Sequence, residues 1–172
     1  DWQAPLPWIR DGKSVAVVKN ATDQGLLTHA TTKAAMNFIR EQGRKKEPFF
    51  AYLPYASVHL PRVGHPDFLP AGAPPSEANK TGVEFTVHLT AQIEELDASV
   101  GKVFGALKEL GIQNNTIFIF MSDNGGSRGT SMGPLKGGKG SLYEGGPRTP
   151  FLIHWPESIP AGKVSHEIGI SS

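Results

Sequence analysis

Cysteine is absent from the 172 residues, which excludes disulfides, Cys-based zinc sites and a cysteine nucleophile within the chain. No apolar run reaches about 18 residues, so no segment reads as a transmembrane helix. Neither charge sign is in excess: 17 basic residues stand against 16 acidic ones, a net charge of +1. Such a balance makes no electrostatic case for nucleic acid or an anionic membrane surface, and neither partner is expected. The opening Asp1-Trp2-Gln3-Ala4-Pro5 has no signal-peptide pattern, although a mature or truncated exported chain would also begin without one. Repeats and low-complexity tracts are missing too.

What is present suits a folded soluble domain. Hydrophobic residues make up 38% and charged residues 19%, outside the disordered regime. The length fits one domain with a real core. Asn-x-Ser/Thr sequons occur at Asn20, Asn79 and Asn114. Glycine and proline concentrate in residues 54–82 and 124–150, which marks both stretches as candidate functional loops.

The coarse order of elements follows from periodicity. Ser14 to Val18 reads as a short strand. Ala35, Phe38, Ile39 and Gln42 predict a helix over 31–42, with Gly43 placed to end it. Phe49-Phe50-Ala51-Tyr52-Leu53 is an unbroken apolar run and predicts a buried strand. Thr81-Gly82-Val83-Glu84 has capping-box form and opens the longest helix. Along it Leu89, Ile93, Leu96, Val100, Val103 and Leu107 form one apolar face, and Gly111 suits its end. Thr116 to Met121 and Phe151 to Trp155 are further apolar strands. A strand, a long helix and a strand imply a right-handed βαβ unit, parallel strands and the α/β class.

Ligands in such folds bind beyond the carboxyl ends of strands. Two loops fit. Strand 116–121 runs into Ser122-Asp123-Asn124-Gly125-Gly126, where Asp123 and Asn124 offer adjacent oxygens suited to calcium or magnesium. The competing reading is a plain Asn-Gly turn with Asp as a local cap. Strand 49–53 runs into Pro54 to Pro61, which carries His59, either an exposed loop histidine or a chemical one. Gly133-Pro134-Leu135-Lys136-Gly137-Gly138-Lys139-Gly140-Ser141 nearly matches a P-loop, but Gly140 stands in the hydroxyl position and no apolar strand precedes it. Its glycines either leave solvated lysines on a flexible loop or let Lys139 approach an anion. Glu94, Glu95 and Asp97 read as solvated or structural rather than as a catalytic carboxylate pair.

Taken in order, these segments resemble the sulfatase family. Pro48-Phe49-Phe50-Ala51-Tyr52-Leu53-Pro54 with Val58-His59-Leu60-Pro61 resembles its Pro-Phe-Phe strand and Pro-His-x-Pro turn. Ile93 to Gly101 resembles its long helix, and Ser122-Asp123-Asn124-Gly125 its metal-binding turn. Gly138-Lys139-Gly140-Ser141-Leu142-Tyr143-Glu144-Gly145-Gly146-Pro147-Arg148-Thr149-Pro150 is similar to its Lys-Gly-x-x-Tyr-Glu-Gly-Gly-x-Arg-x-Pro signature. The likeness runs from about residue 28 to 162, within a partial catalytic domain spanning 1–172.

The resemblance implies an alkaline-phosphatase-like α/β/α sandwich with a mainly parallel sheet, present here in part. It implies hydrolysis of sulfate esters on a sulfated small molecule or glycan. Asp123 and Asn124 would be calcium ligands. Lys139 and His59 would bind the sulfate ester and serve catalysis, Lys139 at the sulfate or leaving oxygen and His59 at the leaving group. Tyr143, Glu144 and Arg148 would shape the loop and pair with each other. The family nucleophile is a formylglycine made from a Cys/Ser-x-Pro-x-Arg motif, which this chain lacks, as it lacks the family's paired N-terminal aspartates and its Lys-x-His motif. Val58 also replaces the usual proline before the histidine. These departures lead to the expectation of the C-terminal part of a catalytic domain, with metal- and sulfate-binding groups but no attacking group. The family favours a periplasmic or secreted location. Two other readings are a phosphodiesterase or phosphonate hydrolase of the same superfamily, and a non-catalytic truncated domain whose exposed sheet edge favours homo-oligomers.

Overall fold

The computed structural model describes residues 5–73, 83–127 and 130–169. Thr81, Gly82 and the sequon at Asn79 lie outside the described residues, so the capping box is not among the described features. The chain forms two compact units, Asp1–Leu110 and Gly111–Ser172.

The first unit opens with an antiparallel hairpin of β1 (Leu6–Arg10) and β2 (Lys13–Val18). Asp11 and Gly12 join them at φ 50 and 74. Two left-handed residues of the Asp-Gly type make the turn whose twist suits paired strands. Asn20 then caps the short helix α1 (Ala21–Gly25), its side chain accepting from the Asp23 backbone N–H at 3.0 Å.

Helix α2 spans Leu27–Lys45, longer at both ends than its periodicity predicts. Gly43 does not end it. A single interior glycine costs only about 1 kcal/mol, and Lys45 pairs with Glu41 at 2.9 Å across that turn. The helix stops where Lys46 turns left-handed at φ 58. Thr28, Thr32, Ala35 and Ile39 form its buried face. That face packs on α3 (Val83–Glu109).

The buried face of α3 departs from the apolar stripe. Leu89, Val103 and Leu107 are buried as the spacing predicts, but Ile93 is 51% exposed, and Leu96 and Val100 are half-buried. The buried line at the α2 end instead carries His88, Gln92, Glu95 and Ser99. Their spacing of four, three and four keeps them on one helical face. Glu95 on this line is buried and accepts a hydrogen bond from the His29 backbone of α2, which makes it structural rather than solvated.

Residues 49–53 correct another expectation. They have no regular secondary structure and join no ladder among the described residues. Phe50 and Tyr52 are 86% and 76% exposed, while Phe49 meets Phe38 edge-on at 5.8 Å. No βαβ pairing with residues 116–121 forms among the described residues.

In the second unit β3 (Phe118–Met121) pairs antiparallel with β4 (Phe151–His154). Both described pairings are therefore antiparallel, not parallel as the βαβ reading predicts. Gly111 precedes this unit's strands at φ 68, the left-handed helix terminator foreseen from its position. Met121 pairs with Phe151 and Phe118 with His154. The segment 122–150 therefore leaves and re-enters the ladder at one end, and that closure builds the site.

Candidate metal and sulfate site

Ser122 and Pro150 are the two ends of the long loop, and the Ser122 N–H donates to the Pro150 carbonyl at 3.3 Å. Thr149 adds a side-chain bond, its hydroxyl donating to the Ser122 carbonyl at 3.1 Å. Antiparallel pairing thus brings the start of the Asp-Asn turn against the end of the glycine-rich signature.

Further in, three backbone hydrogen bonds stitch the segments. Gly125 N–H donates to Gly146 O at 2.7 Å, Lys139 N–H to Gly126 O at 2.9 Å, and Gly145 N–H to Lys136 O at 2.8 Å. Side chains have no room between them. A Cβ on Gly125 would fall inside contact distance of the Gly145 carbonyl oxygen, and one on Gly146 would collide with the Ser141 carbonyl oxygen. The glycines at 125 and 146 serve close backbone approach rather than flexibility.

Asp123 is exposed and Asn124 half-buried. The Asn124 Nδ2 donates to Asp123 Oδ2, and the Ser122 hydroxyl donates to the Asn124 carbonyl at 2.9 Å. The turn sets one carboxylate and one carboxamide side by side at the strand end. Among the described residues no group of three or more His, Cys, Asp or Glu is arranged to hold a metal ion. Calcium takes about six to eight oxygens, so these two residues are at most a part of such a shell.

Lys139 is exposed, with its backbone pinned to Gly126. Lys136 points elsewhere, its Nζ lying 3.9 Å from the centre of the Tyr143 ring. Glu144 and Arg148 pair at 3.3 Å as expected, but Tyr143 serves Lys136 rather than joining them. Among the described residues no helix follows the glycine run, so it lacks the setting of a P-loop.

His59 belongs to the first unit. It is exposed, its N–H donates to the Ala56 carbonyl at 2.8 Å, and its Nδ1 lies 2.8 Å from the Leu60 carbonyl. Asp123, Asn124 and Lys139 share the second unit. The structure thus brings three of the four sequence-selected residues into one backbone network.

Sequence reasoning missed the buried polar cluster of the first unit. Glu95 is 3% exposed. Burial raises its carboxyl from its ordinary value of 4.5 to about 7, opposed by a hydrogen bond from the His29 backbone and by Lys102. His29 lies in the first turn of α2, whose N-cap residue Leu26 makes no side-chain cap. Glu95 supplies that cap from the neighbouring helix. The signal was legible: polar residues at 88, 92, 95 and 99 recur at helical spacing.

A family model described as Sulfatase matches residues 5–171. The mouse N-acetylgalactosamine-6-sulfatase is 34% identical over 158 residues, covering 88% of this chain and 28% of the relative. The N-acetylgalactosamine-6-O-sulfatase of Bacteroides thetaiotaomicron is 34% identical over 172 residues, covering 92% of this chain and 30% of that protein. Among solved structures, Ps i-CgsB superposes with a TM-score of 0.74 at 36% identity, covering 91% of this chain and 33% of that one. The same protein was also solved in complex with k-i-k-neocarrahexaose. The chain therefore spans under a third of the length of these relatives. It corresponds to a partial, N-terminal region of them, which corrects the expectation of a C-terminal part. With sulfatase structures as its neighbours it is a portion of an α/β fold. Matched along nearly all its length by one family model, the chain belongs to the sulfatase family.

Proposed function

We propose that this chain is the metal- and sulfate-binding portion of an enzyme that hydrolyses sulfate esters of saccharides. The observation carrying the reading is the junction at the end of the β3–β4 ladder. There Asp123 and Asn124 stand beside each other while the backbone of Lys139 is bonded to the same turn. The relatives named for N-acetylgalactosamine-6-sulfate, and the oligosaccharide bound by Ps i-CgsB, support the substrate class.

The roles follow from charge. A sulfate ester is anionic, and its cleavage builds negative charge on the departing oxygen and the non-bridging oxygens. Asp123 and Asn124 suit a hard divalent cation such as calcium by their donor type, one carboxylate and one amide oxygen. A cation held there supplies fixed positive charge against the sulfate oxygens. Lys139 adds a second positive charge on an exposed arm whose base is fixed. His59 serves the leaving group. The Nδ1 contact with Leu60 O at 2.8 Å orients the ring, and Nε2 is the atom that would hand a proton to the leaving oxygen. The formylglycine nucleophile is not encoded in these residues, since they contain no cysteine and no Ser-x-Pro-x-Arg.

The test is a comparison of rates. The complete protein is assayed on an aryl sulfate and on an aryl phosphodiester with the same leaving group. Faster hydrolysis of the sulfate supports the reading. Preference for the phosphodiester replaces it with the phosphodiesterase alternative, and no turnover of either favours the non-catalytic one.

A further inference from the structure

We propose that Thr28 and Thr32, on the first turns of α2, are positioning residues for His59. The inference rests on the leaving-group role given to His59 above.

The contacts form a short chain of hydroxyls. Thr28 Oγ1 lies 2.7 Å from Ser57 Oγ, and Thr32 Oγ1 lies 3.0 Å from Tyr55 Oη. Thr32 also donates to the Thr28 carbonyl at 2.7 Å, which fixes its rotamer. Thr28 and Thr32 are 4% and 2% exposed, whereas their partners are half-buried on the loop. Ser57 sits inside the turn closed by the His59 N–H on the Ala56 carbonyl. The helix therefore grips the loop at two points, one of them two residues before His59.

The anchor is itself held from below. Glu95 of α3 accepts from the His29 N–H, between the two threonines, and so fixes the end of α2 that presents them. A rigid helix turn capped by a buried acid is a firmer support for a catalytic side chain than loop packing alone. Hydroxyls at such buried positions are costly unless they are used; here that of Thr28 meets the His59 loop, and that of Thr32 donates to the Thr28 carbonyl while its oxygen meets Tyr55 of the loop.

The experiment uses the complete protein and a series of aryl sulfates graded by leaving-group pKa. Thr28→Val and Thr32→Val keep the shape and remove the hydroxyl. The expected result is a fall in kcat of about 10-fold for the poorest leaving groups, little change for the best, and an unchanged KM. Thr28→Ser and Thr32→Ser should restore the rate. A merely structural role would lower all substrates alike and give no serine-specific rescue, and either result overturns the proposal. If the valine variants do not fold, Ser57→Ala and Tyr55→Phe remove the same contacts from the loop side and should steepen the same dependence. His59→Ala serves as reference. If it shows no leaving-group dependence, the role of His59 fails and this proposal with it. If it does and the threonine variants behave as wild type, only the positioning claim fails.

Discussion

The backbone N–H of Gly125 donates to the carbonyl oxygen of Gly146 at 2.7 Å. That single bond ties the Asp-Asn turn to the glycine-rich signature, and a methyl group at Gly125 would occupy the space of the Gly145 carbonyl. Gly125→Ala should therefore destabilise the protein by about 1–3 kcal/mol through overpacking. Urea unfolding measures it. A midpoint equal to wild type would mean the two backbones do not approach as described.

Asp123 and Asn124 are the metal donors of this account. Asp123→Ala and Asn124→Ala should each weaken calcium binding of the complete protein by at least about 10-fold, read by calorimetry. Calcium should also raise the thermal midpoint of wild type more than that of either variant, since a ligand that binds only the folded state stabilises it.

Lys139 and Lys136 separate by their surroundings. Lys136 rests on the Tyr143 ring at 3.9 Å, while Lys139 lies in the segment bonded to the Asp-Asn turn. Removing a charge aimed at the developing anion typically costs about 100- to 1,000-fold in rate. Lys139→Ala should show such a loss in kcat/KM on aryl sulfate, and Lys136→Ala a change within about 2-fold. Equal effects would move the sulfate contact off Lys139.

Glu95 gives a pH dependence with a definite sign. Its carboxyl is raised in the folded state from 4.5 to about 7, chiefly by burial. The folded form binds the proton more tightly than the unfolded chain, so its contribution to stability is full below pH 4.5 and is lost as pH rises through 7. Thermal midpoints should fall between pH 5 and 8. Glu95→Gln, which cannot ionise, should flatten that fall.

Several features were legible because their cause is local. The positive φ of Gly111, the Asp-Asn-Gly turn and the core positions Val103 and Leu107 follow from residue type and helical period. The apolar run 49–53 misled because a buried strand and an apolar segment outside any ladder share one composition. Its exposed Phe50 and Tyr52 have no described strand beside them. Strand direction was illegible for a related reason. The partner of Phe118–Met121 is Phe151–His154, and a choice between distant segments leaves no mark in either one. Glu95 was legible only as solvated or structural, because the apolar stripe beside it left its own face undecided; the offset line His88, Gln92, Glu95 and Ser99 is buried, which selects the structural reading.

The most direct test is the aryl sulfate kcat/KM of the complete protein beside its Asp123→Ala variant, each assayed with calcium and after chelation. The account predicts sulfate release by wild type, lost on chelation and restored by calcium, and an Asp123→Ala rate lower by at least about 100-fold. Sulfate release that is indifferent to both chelation and Asp123→Ala would contradict it.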